Sequence, residues 1–311
     1  MASSVLNYLP VNIANVIGKE REWQKGEVIE IRMRIYRPLQ LITYTDELFP
    51  LDESNNPLVI SPRDLEKSFM ILVKNSYYAL ERQLAEGFLT IPGGHRVGFT
   101  GQAVLEGREI RTIKNINSLN YRISHQLIGI GEGLIEKIFN KKEDQVYNTL
   151  IIAPPLCGKT TLLRDLIRLI SDGDERYGLK GKKVALVDER SEIAGAYNGI
   201  PQNKIGKRTD LLDNCPKARG MLLLIRAMSP EVLAVDEIGH REDVLAIEEV
   251  INAGVKIICT VHGRDYYSIL QRPSLQPLLA GKAFERYLVL SAKRGIGTVE
   301  MVLDANGKEV L

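Results

Sequence analysis

The sequence predicts an α/β chain in which a domain with a parallel-rich sheet follows a smaller α+β domain, and three observations carry that prediction. Val184 to Val187, Val232 to Val235 and Val255 to Cys259 are short apolar runs without polar alternation, the pattern of strands covered on both faces. Gly158-Lys159-Thr160 lies between a β-branched run, Thr149 to Ile152, and a helical pattern from Leu162 to Ile170, the strand–loop–helix setting of a phosphate-binding loop. Upstream, residues 28–35 alternate and residues 88–113 are β-rich and punctuated by glycine, which reads as antiparallel structure.

The N-terminal region comes first. Ile29, Ile31, Met33 and Ile35 share one face of a strand, with Glu30, Arg32 and Arg34 on the other. Ser61-Pro62-Arg63-Asp64 has the composition of a helix start, followed by Leu65, Phe69, Leu72, Val73, Leu80 and Leu84 at helical spacing. Turn signals at Gly93-Gly94, Gly101 and Gly107 then separate antiparallel strands. These elements predict an α+β domain over 1–113. A linker and helix over 114–144 carry Gly129, Gly131 and Gly133, and an α/β domain occupies 145–311. In that last domain the spacing predicts a helix over 242–253, ended by Gly254.

A chain of 311 residues, 44% hydrophobic and 26% charged, is long enough for two cores. Forty-one Lys and Arg against 39 Asp and Glu give a net charge of +2, which does not announce a nucleic-acid binder. The opening stretch has no basic region and its apolar residues are broken by Asn7, Asn12 and Asn15; neither a signal peptide nor a membrane span is expected, and the expected location is cytoplasmic. Cys157, Cys215 and Cys259 form no C-x-x-C pair, against a disulfide framework or zinc site; Cys215 and Cys259 read as small buried hydrophobes.

Ligands of open α/β sheets bind beyond the carboxyl ends of the strands, where four polar clusters fall. The first is the loop of Ala153, Pro154, Pro155, Leu156, Cys157, Gly158, Lys159, Thr160 and Thr161, expected to wrap the phosphates of ATP, with Lys159 on the β/γ oxygens and Thr160 on Mg²⁺. Two departures stand out: Ala153 occupies the place of the leading glycine, and Leu156 a position that is often glycine. In the second cluster a buried strand delivers Asp236 to the metal and Glu237 to the attacking water. Asp188, Glu189 and Glu192 form the third, and Thr260 with His262, a plausible γ-phosphate sensor, the fourth.

Together, APPLCGKTT (Ala153–Thr161), VDERSEI (Val187–Ile193), LLIRAMSPEVLAVDEI (Leu223–Ile238) and ICTVHG (Ile258–Gly263) resemble the Walker A, Asp box, Walker B and His box of the type II and type IV secretion and pilus ATPases, including Arg226-x-x-x-Pro230. The stretches EIRMRI, GGHRVG, YRIS and the PQN…RTD…CPKA segment from Pro201 to Ala218 are similar to the stage III sporulation AA family of endospore-forming bacteria over nearly the whole chain. The resemblance implies a RecA-like P-loop ATPase domain using ATP and Mg²⁺, with Glu237, Glu189, Glu192 and His262 as catalytic positions and Asp236 and Thr160 at the metal. It also implies a homohexameric ring, an N-terminal domain stacked on the ATPase domain, and work with membrane proteins of a channel complex between mother cell and forespore. Arginines of the N-terminal domain or linker reach the phosphates in such ATPases; Arg96 and Arg122 are the candidates here, with Arg111 behind them. The cationic loop Gly206 to Asp210 and Arg226 are further candidates to cross a subunit boundary.

Two other readings compete. A ring translocating nucleic acid would want aromatic stacking residues, yet aromatics are 6% of the chain and Trp23 lies far from the loop in sequence. A nucleotide-binding scaffold without turnover would fit the missing glycine, but Lys159, Asp236 and Glu237 are all present.

Overall fold

The computed structural model describes residues 2–73, 87–291, 293, 295 and 297–310. It divides into two compact units, Met1–His125 and Gln126–Leu311.

The first unit is built on a six-stranded antiparallel sheet, in the order β3-β2-β1-β6-β5-β4. Its strands are β1 (Val28–Arg34), β2 (Gln40–Thr43), β3 (Glu47–Leu48), β4 (Phe88–Ile91), β5 (His95–Glu106) and β6 (Glu109–Arg122). One core joins the sheet to the N-terminal segment, α1 (Val11–Lys19) and α2 (Pro62–Val73), with Ile13, Ile17, Ile31, Met33, Leu65 and Tyr121 within it. α2 starts where Ser61 and Asp64 bond reciprocally: the Asp64 N–H donates to Ser61 Oγ at 3.2 Å and the Ser61 N–H to Asp64 Oδ2 at 3.1 Å, a capping box. Leu80 and Leu84, expected on the same helical face, lie outside the described residues.

Three expectations change here. The register of β1 shifts between Val28 and Glu30, so Val28 is buried and Ile29 only half-buried, while Ile31 and Met33 keep the core face expected of them; the extra residue changes the facing of the strand's first residues alone. Gly101 marks no turn. It sits in β5 at an irregularity opposite β6, where a Cβ would lie 2.5 Å from the Lys114 carbonyl oxygen and 2.8 Å from that of Asn115. The boundary expected at Ile113 falls inside β6, which continues to Arg122 because Leu119 and Tyr121 point into the core. Their period-two signal is diluted by Asn115, Asn117 and Asn120.

The second unit carries a two-stranded ribbon of β7 (Phe139–Asn140) and β8 (Gln145–Val146). Its main sheet has seven strands in the order β11-β10-β12-β13-β9-β14-β15. They are β9 (Thr149–Ala153), β10 (Val184–Asp188), β11 (Thr209–Asp213), β12 (Val232–Val235), β13 (Lys256–His262), β14 (Arg286–Ser291) and β15 (Thr298–Asp304). All neighbours are parallel except β14 and β15. Alternate residues feed two cores. Ile151, Leu186 and Ala234 meet α3 (Lys159–Asp172), whereas Ile152, Val187 and Val235 meet α4 (Lys217–Met228) and α5 (Arg241–Asn252) on the other face. Burial on both faces is why these strands carry apolar residues at successive positions in their middles, with no polar alternation. Cys259 is fully buried as expected, but Cys215 is only half-buried, because it lies in the loop between β11 and α4.

Gly101→Ala should lower the stability of the first unit by about 2 kcal/mol, since backbone carbonyls cannot step aside for the new methyl group. Urea unfolding followed by a probe in that unit measures it, and an unchanged midpoint would refute the close approach.

Candidate nucleotide site

Four neighbouring strands, β10, β12, β13 and β9, bring their carboxyl ends to one edge of the sheet. Asp188 ends β10, Asp236 and Glu237 follow β12, and His262 ends β13 in register with Ala153 at the end of β9. The loop from Pro154 to Gly158 then leads into α3, whose first backbone N–H groups have no partner within the helix and face the loop. Gly158 makes the turn at φ 86°, a conformation open to glycine.

The two departures from the loop pattern separate physically. Ala153 is a strand residue at ordinary negative φ, fully buried against α3. Leu156 is the strained position: φ is 63°, and its side chain is 92% exposed, so no packing offsets the conformation.

Lys159 is 5% exposed, and its charge is answered inside the site. Nζ lies 3.1 Å from His262 Nδ1 and 4.0 Å from Glu237 Oε1, while His262 Nε2 is 2.8 Å from that same oxygen. Arg190 Nη1 stands 3.4 Å from the other Glu237 oxygen. Glu237 itself is held at φ 50°, a strained backbone of the kind that collects at functional sites. Its N–H is fixed by Thr260 Oγ1 at 2.9 Å and Asp236 Oδ1 at 3.1 Å.

Asp236 accepts from Thr160 Oγ1 at 2.9 Å and from the Thr260 hydroxyl. Burial, joined by the neighbouring Glu237 charge, raises its pKa against the opposing pull of both threonines and Lys159. Mg²⁺ takes few protein oxygens and keeps waters and phosphate oxygens for the rest, so one hydroxyl beside one buried carboxylate suits it. No cluster of three or more His, Cys, Asp or Glu side chains arranged for a metal occurs among the described residues.

The acids after β10 divide their tasks. Asp188 spends its carboxylate on three backbone N–H groups, of Glu192, Ile193 and Ala194, at 2.8 to 3.0 Å, and so shapes the loop behind the site. Burial nevertheless pushes its pKa up to about 6. Glu189 is turned to Lys217 at 2.7 Å. Both Glu189 and Glu192 line a narrow crevice shared with Asp188, Arg190, Asp236 and Glu237. Arg96 and Arg122 are cross-strand partners in the first unit, Arg96 stacked 4.2 Å above the Phe88 ring; Arg111 pairs with Glu106 at 3.7 Å. Arg226 lies in the last turn of α4, and Arg208 Nη1 caps the end of α3 by donating to the Ser171 carbonyl at 2.9 Å.

Sequence reasoning missed Arg164. Buried on α3, it donates to the Ile193 and Glu192 carbonyls at 2.6 and 2.7 Å, tying the helix of the phosphate loop to the acidic loop. Burial lowers its pKa against the pull of Asp188, Asp236, Glu192 and Asp165. The available signal was a charged residue one turn beyond Thr160, on the helix face that carries the phosphate-loop residues.

The sheet order, the strand–loop–helix passage from β9 into α3 and the polar strand ends give the fold seen in solved P-loop secretion ATPases. The ATPase DotB of Yersinia pseudotuberculosis superposes with a TM-score of 0.58 at 13% identity, over 97% of this chain and 79% of DotB. The pilus retraction motor PilT, solved with bound ADP, gives 0.55 at 11% identity, over 86% and 76%. The family model for sporulation stage III, protein AA matches residues 2–310. The stage III sporulation protein AA of Bacillus subtilis (strain 168) is 42% identical over 309 residues, 98% of this chain and 96% of that protein. The chain belongs to the stage III sporulation protein AA family.

Leu156→Gly should stabilise the second unit by about 1 kcal/mol by removing the left-handed leucine, whereas Ala153→Gly should destabilise it by about 1 kcal/mol. Thermal unfolding of the two variants, read for opposite signs, checks both. Because Asp188 binds its proton more tightly folded than unfolded, its contribution is complete below the ordinary carboxylate pKa and lost as pH rises through about 6. The stability difference between parent and Asp188→Asn should therefore fall as the pH goes from 4 to 7, in urea unfolding at each pH.

Proposed function

We propose that the chain is a Mg²⁺-dependent ATPase, a ring-forming motor, hexameric as the family resemblance implies, that energises a sporulation-specific secretion or channel apparatus between mother cell and forespore. The observation that carries this reading is the meeting of Lys159, Thr160, Asp236, Glu237 and His262 at adjoining strand ends beside the start of α3. The fold shared with secretion and pilus ATPases supports the same reading.

On binding, the loop N–H groups and the start of α3 take phosphate oxygens, and Lys159 exchanges His262 and Glu237 for the β- and γ-phosphates. Thr160 and Asp236 hold Mg²⁺, which neutralises phosphate charge when bound. Glu237, oriented by His262, aligns a water and accepts its proton as the water oxygen bonds to the γ-phosphorus and the bond to the β-phosphate oxygen breaks. His262 is then free to donate to a γ-phosphate oxygen. No helix among the described residues is long and apolar enough to cross a membrane. In this reading the chain works from the cytoplasm on membrane proteins of the sporulation channel, with nucleic acid no partner.

Lys159→Ala should weaken ATP binding at least tenfold, or about 1.4 kcal/mol. Glu237→Gln should bind ATP about as the parent does while losing on the order of 100-fold or more in kcat. Fluorescent-nucleotide titration and steady-state hydrolysis separate the two, and sedimentation of Glu237→Gln should show larger assemblies with ATP than without. Parental turnover in a folded Glu237→Gln would remove Glu237 from its role.

A further inference from the structure

The segment from Pro201 to Thr209 belongs to the motifs that set the family apart, yet it takes no part in the site above. Together with the last turns of α3 and Ile128, it walls a separate pocket of about 540 Å³, within the range of small-molecule sites. The pocket is lined by Arg168, Lys204 and Lys207 against one acid, Asp172. Nine residues of helix separate Lys159 from Arg168, a rise of roughly 14 Å along α3.

The wall is preformed. Gly206, at φ 99°, lies so near α3 that a Cβ would meet Ser171 Cβ at 2.3 Å. The Lys207 N–H donates to Asp172 Oδ1 at 2.8 Å, the Arg208 N–H to Ser171 Oγ at 2.7 Å, Thr209 Oγ1 to the Ile205 carbonyl at 2.6 Å, and Asn203 Nδ2 to the Ile193 carbonyl at 2.9 Å. Lys204 is clasped to Gln126 through both its N–H and its carbonyl, each at 3.1 Å.

The cations, by contrast, keep donors in hand. Arg168 is anchored to Asp165 Oδ1 through Nε at 2.8 Å and through a buried Nη2 ion pair at 2.7 Å, which orients the guanidinium and leaves Nη1 without a partner among the described residues. The second Asp165 oxygen is occupied by the N–H groups of Gly129 and Gly131, both at 2.9 Å. No ion pair among the described residues engages Lys204 or Lys207. An oriented guanidinium with donors to spend, flanked by two ammonium groups, is matched to a multiply charged oxyanion. Ile128 and Ile205 offer apolar wall to the body that carries it.

We propose that this pocket binds a phosphate-bearing small molecule of about nucleotide size, at a site separate from the phosphate loop and joined to it by α3. The inference does not depend on hydrolysis at the loop. Calorimetric titration with inorganic pyrophosphate tests it on the full chain carrying Lys159→Ala, so that the loop does not contribute. This chain should bind pyrophosphate, more weakly as salt is raised, and adding Lys204→Glu and Lys207→Glu should cut affinity at least tenfold. Both lysines are solvent-exposed, so the double reversal removes the charge without disturbing the packing around Asp165. Lys204→Glu alone, in the otherwise parental chain, should leave fluorescent-nucleotide binding at the phosphate loop unchanged. Absence of pyrophosphate binding to the Lys159→Ala chain at millimolar concentration, or binding indifferent to both lysine reversals, would overturn the proposal. Tighter binding of citrate than of pyrophosphate would overturn the phosphate assignment.

Discussion

An ammonium group 5% exposed at the end of an apolar sheet is the constraint on which the second unit turns. An isolated buried charge costs far more than a domain's net stability, so Lys159 must be answered by partners delivered from elsewhere in the chain. His262 and Glu237 answer it, and each arrives on a different strand. That pairing requires β13 beside β9 and β12 beside β13, the order found. It also requires α3 to begin at Lys159, which the left-handed Gly158 allows.

The same network closes the strand-end residues upon one another. Glu237 is engaged by His262, Arg190 and, at longer range, Lys159. Phosphate entering the loop would compete with a carboxylate for one ammonium, and release of Lys159 leaves His262 and Glu237 facing each other at 2.8 Å. Arg164 adds a second tie, holding the loop that carries Glu189 and Glu192 to the helix that starts at Lys159.

Much of this was legible in residue order. Apolar runs without polar alternation announced β10, β12 and β13, because strands buried on both faces leave no such alternation. The strand–loop–helix signal placed Lys159 and Thr160, and the acids after β12 placed Asp236 and Glu237. Less legible were the strands whose pattern is diluted: asparagines masked the second half of β6, and β11 at the sheet edge is half-buried throughout. The bulge after Val28 was invisible because an inserted residue leaves an alternating composition intact while changing which of the strand's first residues faces the core.

What the sequence by itself determined is therefore local: which segments are strands or helices, and which chemical groups stand at their ends, because period, glycine and side-chain type act within a few residues. Only the tertiary structure decided which ends meet. It aimed Asp188 at the backbone of its own loop and Glu189 at Lys217, although the two acids stand in adjacent positions at the end of one strand, since successive residues there point opposite ways. It also moved the strain of the phosphate loop from the missing glycine at Ala153 to Leu156. A residue ending a buried strand keeps strand dihedrals, while the turn that needs positive φ comes three residues later.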